Sequence, residues 1–413
     1  MRILVVSQYY WPEVFRITDI CAGLIERGYD VDVLTSLPNV PQGRFYEGYD
    51  WIHRGAKEHE GVNVERVGVF ERTKSNKIMW ALNCASFAIN SLFHLPKLAK
   101  NKYDAVFVFN NSPVTVILPA KVFAAVKKIP NLIYILDIWP ESLYSLLGIP
   151  KINKNTLFYK LSSAFCKWLY RSGDTLLISS KGFEEKLKDE MGLSSRIAYF
   201  PNYAENIDVD TTFRVTREEL DYTDEDFIIG FAGGMGPAQG IDLVISAIQK
   251  VPQEKKVKLL LMGDGTEFTK LQQAVKDNNL TSRARFMGWV PLNHLPAYME
   301  ICDVMMMCLK DNEVLNITVP AKLQTYMSCE KPVLAFMNGA GSDVVREAEC
   351  GVAVSAEDVE GLASAFISLK DMPHQDLLKL GENGKKYCSN TFEREHILDI
   401  LEQELKTATG KKK

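Results

Sequence analysis

The sequence predicts an α/β fold built from two doubly wound, Rossmann-like domains. Three observations lead there. The chain has 413 residues, more than one hydrophobic core ordinarily organises. Its apolar residues fall into short continuous runs, the mark of parallel strands covered by helices on both faces. The alternation of strand and helix patterns also stops near residue 203 and restarts near 227, so the same kind of unit is made twice.

The first series opens with a strand at Ile3–Ser7 and a helix at Asp19–Arg27, with Ile20, Leu24 and Ile25 on one side. Gly28 ends that helix and Val31–Leu34 starts the next strand, which is the opening of a βαβ unit. Further strands are predicted at Ala105–Phe109, Leu132–Leu136, Thr175–Ser179 and Ile197–Phe200. Tyr203–Asp226 is polar, has no periodic apolar face and reads as a linker. The second series has strands at Phe227–Ala232, Val257–Met262, Ala284–Met287, Val304–Leu309 and Pro332–Phe336, with a helix at Ile241–Val251. Helical patterns at Gln375–Ser389 and Glu393–Thr407 end the chain, and one of them is predicted to cross back to the first domain. The expected division is therefore 1–202 with a helix at about 391–413, a linker at 203–226, and 227–390.

Composition narrows the class. Apolar residues make up 46% and charged residues 24%, the balance of a soluble globular protein. The net charge of −4 is uneven: residues 1–200 carry 25 Lys and Arg against 19 Asp and Glu, the remainder 23 against 33. A basic first half suits an anionic partner such as a phospholipid surface, while nothing is dense enough in Lys and Arg to suggest nucleic acid. The eight cysteines include no C-x-x-C pair and read as reduced, mostly buried residues. The chain opens on a strand and not on a signal peptide, so the expected location is the cytoplasm. Ile78–Leu98 is largely apolar, is flanked by lysines and contains Asn83, Ser86, Asn90 and Ser91. Two readings stand for it: a buried helix of the first domain, or a helix lying in a membrane interface.

In open α/β sheets, ligands bind beyond the carboxyl ends of the strands. Six loops lie there. Tyr9, Trp11, Glu13, Arg16 and Asp19 follow the first strand, where aromatics can stack on a ring and an arginine can meet a phosphate. Asp137 and Glu141 flank Trp139-Pro140 after the strand at Leu132–Leu136, two carboxylates of which one could accept a hydroxyl proton. Gly233, Gly234, Met235, Gly236 and Gln239 open the helix of the second domain, so their amides can approach a diphosphate. Asp264 follows a strand and could simply cap a helix. Gly288, Trp289 and Val290 could read a base edge through their backbone. Pro320 begins a helix whose first turn carries Lys322, placed to neutralise phosphate, followed by Gln324 and Thr325.

Taken in order, these landmarks resemble the family 4 retaining glycosyltransferases of GT-B architecture, whose two Rossmann-like domains face each other across a cleft. The similarity is to the bacterial subgroup acting in O-antigen, capsule, lipopolysaccharide or exopolysaccharide synthesis, including fucosamine (FucNAc) transferases. The matching segments are Tyr9–Pro12, Asp137–Ser142, Pro201-Asn202, Gly233–Asp242, Met262–Phe268, Gly288–Pro291, Val319–Tyr326 and Lys331–Val333. The resemblance implies a nucleotide-sugar donor, UDP-linked in preference to GDP-linked, held by the second domain. It implies an acceptor held by the first, a polyprenyl-diphosphate-linked saccharide at the inner membrane face. It implies no cofactor and no metal, with cations and helix dipoles stabilising the leaving diphosphate.

The chain departs from the family in three respects. Gly234 and Gln239 stand where it has Arg and Lys, which makes Lys322 the leading substitute. Two family glutamates fall near Ile317 and on Thr325, shifting ribose contact to Gln324, Thr325 or Glu347. Asp137 replaces a frequent His. A UDP-sugar epimerase of the same fold and a non-enzymatic partner subunit are the alternative readings.

Overall fold

The computed structural model describes residues 1–73, 76–111, 113–147, 149, 152–204 and 207–410. It divides into two compact units, one of residues 1–201 with 397–413 and one of residues 202–396.

The first unit is built on an eight-stranded sheet of order β3-β4-β2-β1-β5-β6-β7-β8. Its strands are β1 (Arg2–Val6), β2 (Asp30–Ser36), β3 (Glu58–His59), β4 (Val62–Val67), β5 (Ala105–Asn110), β6 (Asn131–Ile135), β7 (Thr175–Ile178) and β8 (Arg196–Tyr199). All pairings are parallel except β3 with β4. Strand β1 lies between β2 and β5, with Ile3 opposite both Val31 and Ala105. The order reverses there, which makes the carboxyl end of β1 a topological switch point. The helices that matter below are α1 (Ile17–Glu26), α2 (Lys77–Leu98), α3 (Ile117–Lys127), α4 (Glu141–Leu147) and α5 (Leu157–Tyr170).

The second unit repeats the plan with a six-stranded, wholly parallel sheet of order β11-β10-β9-β12-β13-β14. The strands are β9 (Phe227–Ala232), β10 (Val257–Met262), β11 (Ala284–Gly288), β12 (Val304–Cys308), β13 (Val333–Phe336) and β14 (Gly351–Val354). This is the Rossmann order, with its switch point between β9 and β12. Alternate strand residues feed two cores, Ile229, Phe231, Leu259 and Met306 on one face and Ile228, Leu260, Met305 and Met307 on the other. Covering on both faces is why these strands read as continuous apolar runs.

Where sequence and structure differ, the reasons are local. Strand β4, V-N-V-E-R-V, alternates and so lacks a continuous run; β14 has four residues. The segment expected as a linker packs inside the second unit in its described part: Leu220 and Tyr222 are buried in its core, and Arg217 pairs with Asp303 at 3.0 Å. Residues 205 and 206 of that segment lie outside the described residues. The last helix, Arg394–Ala408, joins the first unit from Ile397 onward. There the buried Glu404 accepts from Arg196 Nε at 2.7 Å and Nη2 at 2.8 Å. The cysteines are free thiols, all buried except the half-buried Cys329.

Candidate active site

The loops after β9, β10 and β11 are laced backbone to backbone. The chain leaves β9 at Gly233 (φ +144°) and leaves β10 at Gly263 (φ +128°), both in the region open to glycine. A Cβ on Gly263 would lie 2.0 Å from the Gly233 carbonyl oxygen, so the two loops approach too closely for a side chain. Gly233 N–H donates to Met262 O at 3.0 Å, Met235 N–H to Asp264 O at 2.9 Å, and Gly263 N–H to Gly288 O at 2.7 Å. This scaffold floors a cavity of about 480 Å³ lined by Gly233, Gly234, Asp264, Trp289, Val290, Lys322 and Thr325, among others.

Lys322 supplies the charge of that cavity. It opens the helix Lys322–Ser328, and its Nζ donates to Gln239 Oε1 at 2.9 Å. The same ammonium lies 4.3 Å from the centre of the Phe231 ring. Burial pushes its pKa down to about 8, since none of these neighbours compensates the lost hydration. Among the described residues it pairs with no carboxylate. A cation held between neutral partners in a cavity favours an incoming anion. Gln239, standing where the resembled family has a lysine, thus positions the lysine that is present.

The other expected donor residues divide. Met235 is fully buried and serves the core with its side chain, though its backbone belongs to the loop scaffold. Gly236, Gln239, Gly288, Pro320 and Gln324 do not line the cavity. Gln324 is buried, and its side-chain amide lies against the carbonyls of Pro320 and Ala321, to which its nitrogen donates once the amide is turned to suit them, a local structural task. Asp264 Oδ1 accepts from Gly265 N–H at 2.7 Å. Trp289 is 74% exposed at the rim, and Glu347 is engaged with Tyr387.

In the first unit the two predicted carboxylates have opposite surroundings. Asp137, just past β6, is half-buried, and its carboxylate has no hydrogen-bond partner among the described residues. Burial alone pushes its pKa up to about 6. Glu141 is buried instead in an ion pair with Lys186 at 2.5 Å and accepts from Tyr159 OH at 2.5 Å. Burial would lower the Lys186 pKa, but its bonds to Glu141 and Glu190 more than offset that and raise it. Glu141 is therefore tied to the frame by Lys186 and Tyr159, whereas the Asp137 carboxylate is not.

The residues after β1 are similarly sorted. Tyr9 is buried and stacked on Phe15 with ring centres 4.8 Å apart. Glu13 is buried, and its Oε1 accepts from Asn39 N–H and Val40 N–H, both at 2.7 Å. Burial pushes that carboxyl up to about 7 against the opposing effect of these bonds. Both residues hold the loop in place through these contacts. Trp11 stacks on His59 at 4.2 Å and lines a hollow of about 830 Å³ with Tyr46 and Tyr49. Arg16 precedes α1, and its charge bears on buried Tyr134; Asp19 is half-buried in the first turn of α1.

Sequence reasoning misses three partners. Arg72 donates to Tyr9 OH at 3.3 Å, Lys186 neutralises Glu141, and Tyr326 OH both donates to Ala232 O and accepts from Ala232 N–H at 3.0 Å beside the cavity. Only Tyr326 lies in a segment that the motifs single out; the other two are distant in sequence from what they touch.

Residues 226–371, which hold this cavity, match the family described as Glycosyl transferases group 1. The whole chain is similar to the "Putative colanic acid biosynthesis glycosyl transferase WcaI" of Escherichia coli (strain K12), 23% identical over 96% of this chain and 98% of that protein. It is also similar to the "Probable glycosyltransferase WbjE" of Pseudomonas aeruginosa, 23% identical over 67% of this chain and 68% of that one. Among solved structures, Anabaena Alr3699/HepE in complex with UDP superposes with a TM-score of 0.69 at 16% identity, covering 98% of this chain and 100% of that one. The two parallel-sheet units are those of the GT-B glycosyltransferase fold. The cavity of the second unit, with Lys322 at its side, lies at the carboxyl ends of β9 and β10, next to the switch point.

Proposed function

We propose that the protein transfers a sugar from a UDP-sugar to a polyprenyl-diphosphate-linked saccharide in bacterial surface polysaccharide synthesis, with retention of anomeric configuration. The observation that carries this reading is Lys322, a desolvated cation without a carboxylate partner among the described residues, beside the Gly233–Gly234 turn in a cavity of nucleotide scale. Its charge and the backbone amides of the turn offset the charge that develops on the departing diphosphate, so protein groups carry this task in place of a metal. In the first unit Asp137 accepts or orients the hydroxyl proton of the acceptor as the new bond to the anomeric carbon forms and the bond to phosphate breaks. The name of WcaI, a colanic acid biosynthesis glycosyl transferase, supports a polysaccharide setting, and the UDP complex of HepE supports the choice of nucleotide. The donor sugar proposed is an N-acetylated deoxysugar.

The test is thermal stability in the presence of UDP, GDP and their common sugar conjugates, then hydrolysis of whichever conjugate stabilises. A ligand specific for the folded state raises apparent stability by mass action. UDP standing out, with slow acceptor-free hydrolysis of one UDP-sugar, is the expected outcome. A folded protein indifferent to every nucleotide would sink the transferase reading in favour of a non-catalytic partner subunit.

A further inference from the structure

The first unit contains a second cavity, of about 740 Å³, at the N-terminal end of α2. Its walls are apolar: Val40 and Pro41 from the loop after β2, Trp80 of α2, Leu143 and Leu147 of α4, and Phe158 of α5. Its charged lining residues are Arg72 and Lys77, with no acidic side chain among the described ones. Arg72 donates to Tyr9 OH at 3.3 Å and Lys77 Nζ to the Leu147 carbonyl at 3.0 Å, both neutral partners. Neither cation meets a carboxylate among the described residues. An apolar hollow with two uncompensated cations is complementary to a molecule that joins a hydrocarbon to an anion.

The surface around this cavity is built the same way. Helix α2 buries Phe87, Leu95 and Leu98 but departs from a helix that faces water in two respects. Its polar Asn83, Ser86 and Ser91 are buried, while Ile78 and Phe93 are 72% and 77% exposed. Asn83 is tied inward, accepting from Gln8 Nε2 at 2.7 Å, and Ser86 Oγ accepts from Phe70 N–H at 3.1 Å. Helix α2 is long and apolar enough to cross a bilayer by length and composition alone, but these bonds and its packing on α3 make it part of the unit. Helix α5 likewise exposes Leu157, Leu161, Phe165 and Trp168. Helices α2, α3 and α5 together carry six lysines and no aspartate or glutamate. Phe158 belongs to both surfaces, lining the cavity while remaining 55% exposed, so the hollow opens onto the apolar face. Apolar exposure combined with a purely basic charge pattern suits an anionic lipid leaflet.

We propose that this cavity binds the head of a membrane-embedded isoprenoid diphosphate, with the diphosphate on Arg72 and Lys77 and the first prenyl units against Trp80, Leu143, Leu147 and Phe158. The remaining chain runs out over the exposed residues of α2 and α5 into the leaflet. This rests on the lipid-linked acceptor proposed above and gives it a site in the first unit, apart from the nucleotide cavity of the second.

The experiment titrates the full-length protein by calorimetry with farnesyl diphosphate, a soluble isoprenoid diphosphate, and with inorganic diphosphate and farnesol. Farnesyl diphosphate is expected to bind at least tenfold more tightly than either fragment, to be undisturbed by saturating UDP, and to weaken at least tenfold in the Arg72→Gln, Lys77→Gln double variant. The conservative Arg72→Lys, Lys77→Arg variant should recover most of the affinity. Equal binding of inorganic diphosphate, displacement by UDP, or no loss in the double variant would each overturn the site. Because UDP binding is read in the same titrations, failure of this site with UDP binding intact leaves the transferase reading standing, whereas loss of UDP binding in folded wild-type protein removes that reading.

Discussion

Asp137 and Glu141 lie four positions apart in one turn, yet they have different chemistry because of what reaches them. Lys186 and Tyr159 hold Glu141 in the interior, while the Asp137 carboxylate meets no hydrogen-bond partner among the described residues and is pushed up to about 6 by burial. A carboxyl of that kind works as a base only once deprotonated, so transfer should fall as pH drops through about 6. Asp137→Asn should cost at least about 100-fold in turnover, the scale of general base catalysis, and should remove that acid limb. Glu141→Gln should do the reverse: turnover of the folded protein is retained, while stability drops by about 3 kcal/mol because Lys186 loses a buried counter-ion. Turnover against pH and a denaturation midpoint for both variants decide the matter; a stable Glu141→Gln protein without activity would return Glu141 to the catalytic set. From sequence the two carboxylates look equivalent, since an ion pair to a residue far along the chain leaves no mark on the local pattern.

At the scale of elements, most strands are legible in the sequence, the edge strands β8 and β11 included, while β3, β4 and β14 are not. Strands β1, β5, β6, β9, β10 and β12 are covered on both faces and so appear as continuous apolar runs, within a residue or so of where the sequence places them. Strand β4 alternates and escapes that pattern, and with it the setting of Arg72. Helix α2 is ambiguous in sequence because asparagine and serine share its buried face with Phe87 and Leu95, while Ile78 and Phe93 are exposed. The glycines after β9 read as freedom for an approaching phosphate, and the structure adds a second demand at Gly233 and Gly263, the contact of two loops. Gly263→Ala should therefore destabilise the protein by about 3 kcal/mol, through the strained φ and the displaced Gly233 carbonyl. Gly234→Ala, whose added methyl would meet nothing within 4 Å, is the control and should unfold at nearly the wild-type denaturant concentration. Equal midpoints for the two variants would show that the loops are not held together as described.

For the whole molecule, the sequence repeats one architecture twice and assigns different charge to each copy. The first unit carries the basic helices and Asp137; the second carries the glycine scaffold and Lys322. Both sheets have their switch points where the order predicts, and the expected donor residues that line the cavity are those at strand ends, Gly233, Gly234, Asp264, Trp289 and Val290, with Lys322 and Thr325 from the helix beyond. The residues that fall away, Gln324, Pro320 and Gly236, are neighbours in sequence that the local backbone turns elsewhere. Periodicity reports which element a residue belongs to, but the direction of each side chain depends on packing that one chain segment does not encode.

The central claim is that Lys322 holds the diphosphate of a uridine nucleotide in the second unit, and calorimetric titration of UDP into wild-type and Lys322→Ala protein at pH 7 tests it most directly. The account predicts a wild-type affinity that weakens by about 10- to 150-fold in the variant, corresponding to about 1.5–3 kcal/mol for a hydrogen bond to a charged group. A folded Lys322→Ala protein that binds UDP as tightly as wild type would contradict it.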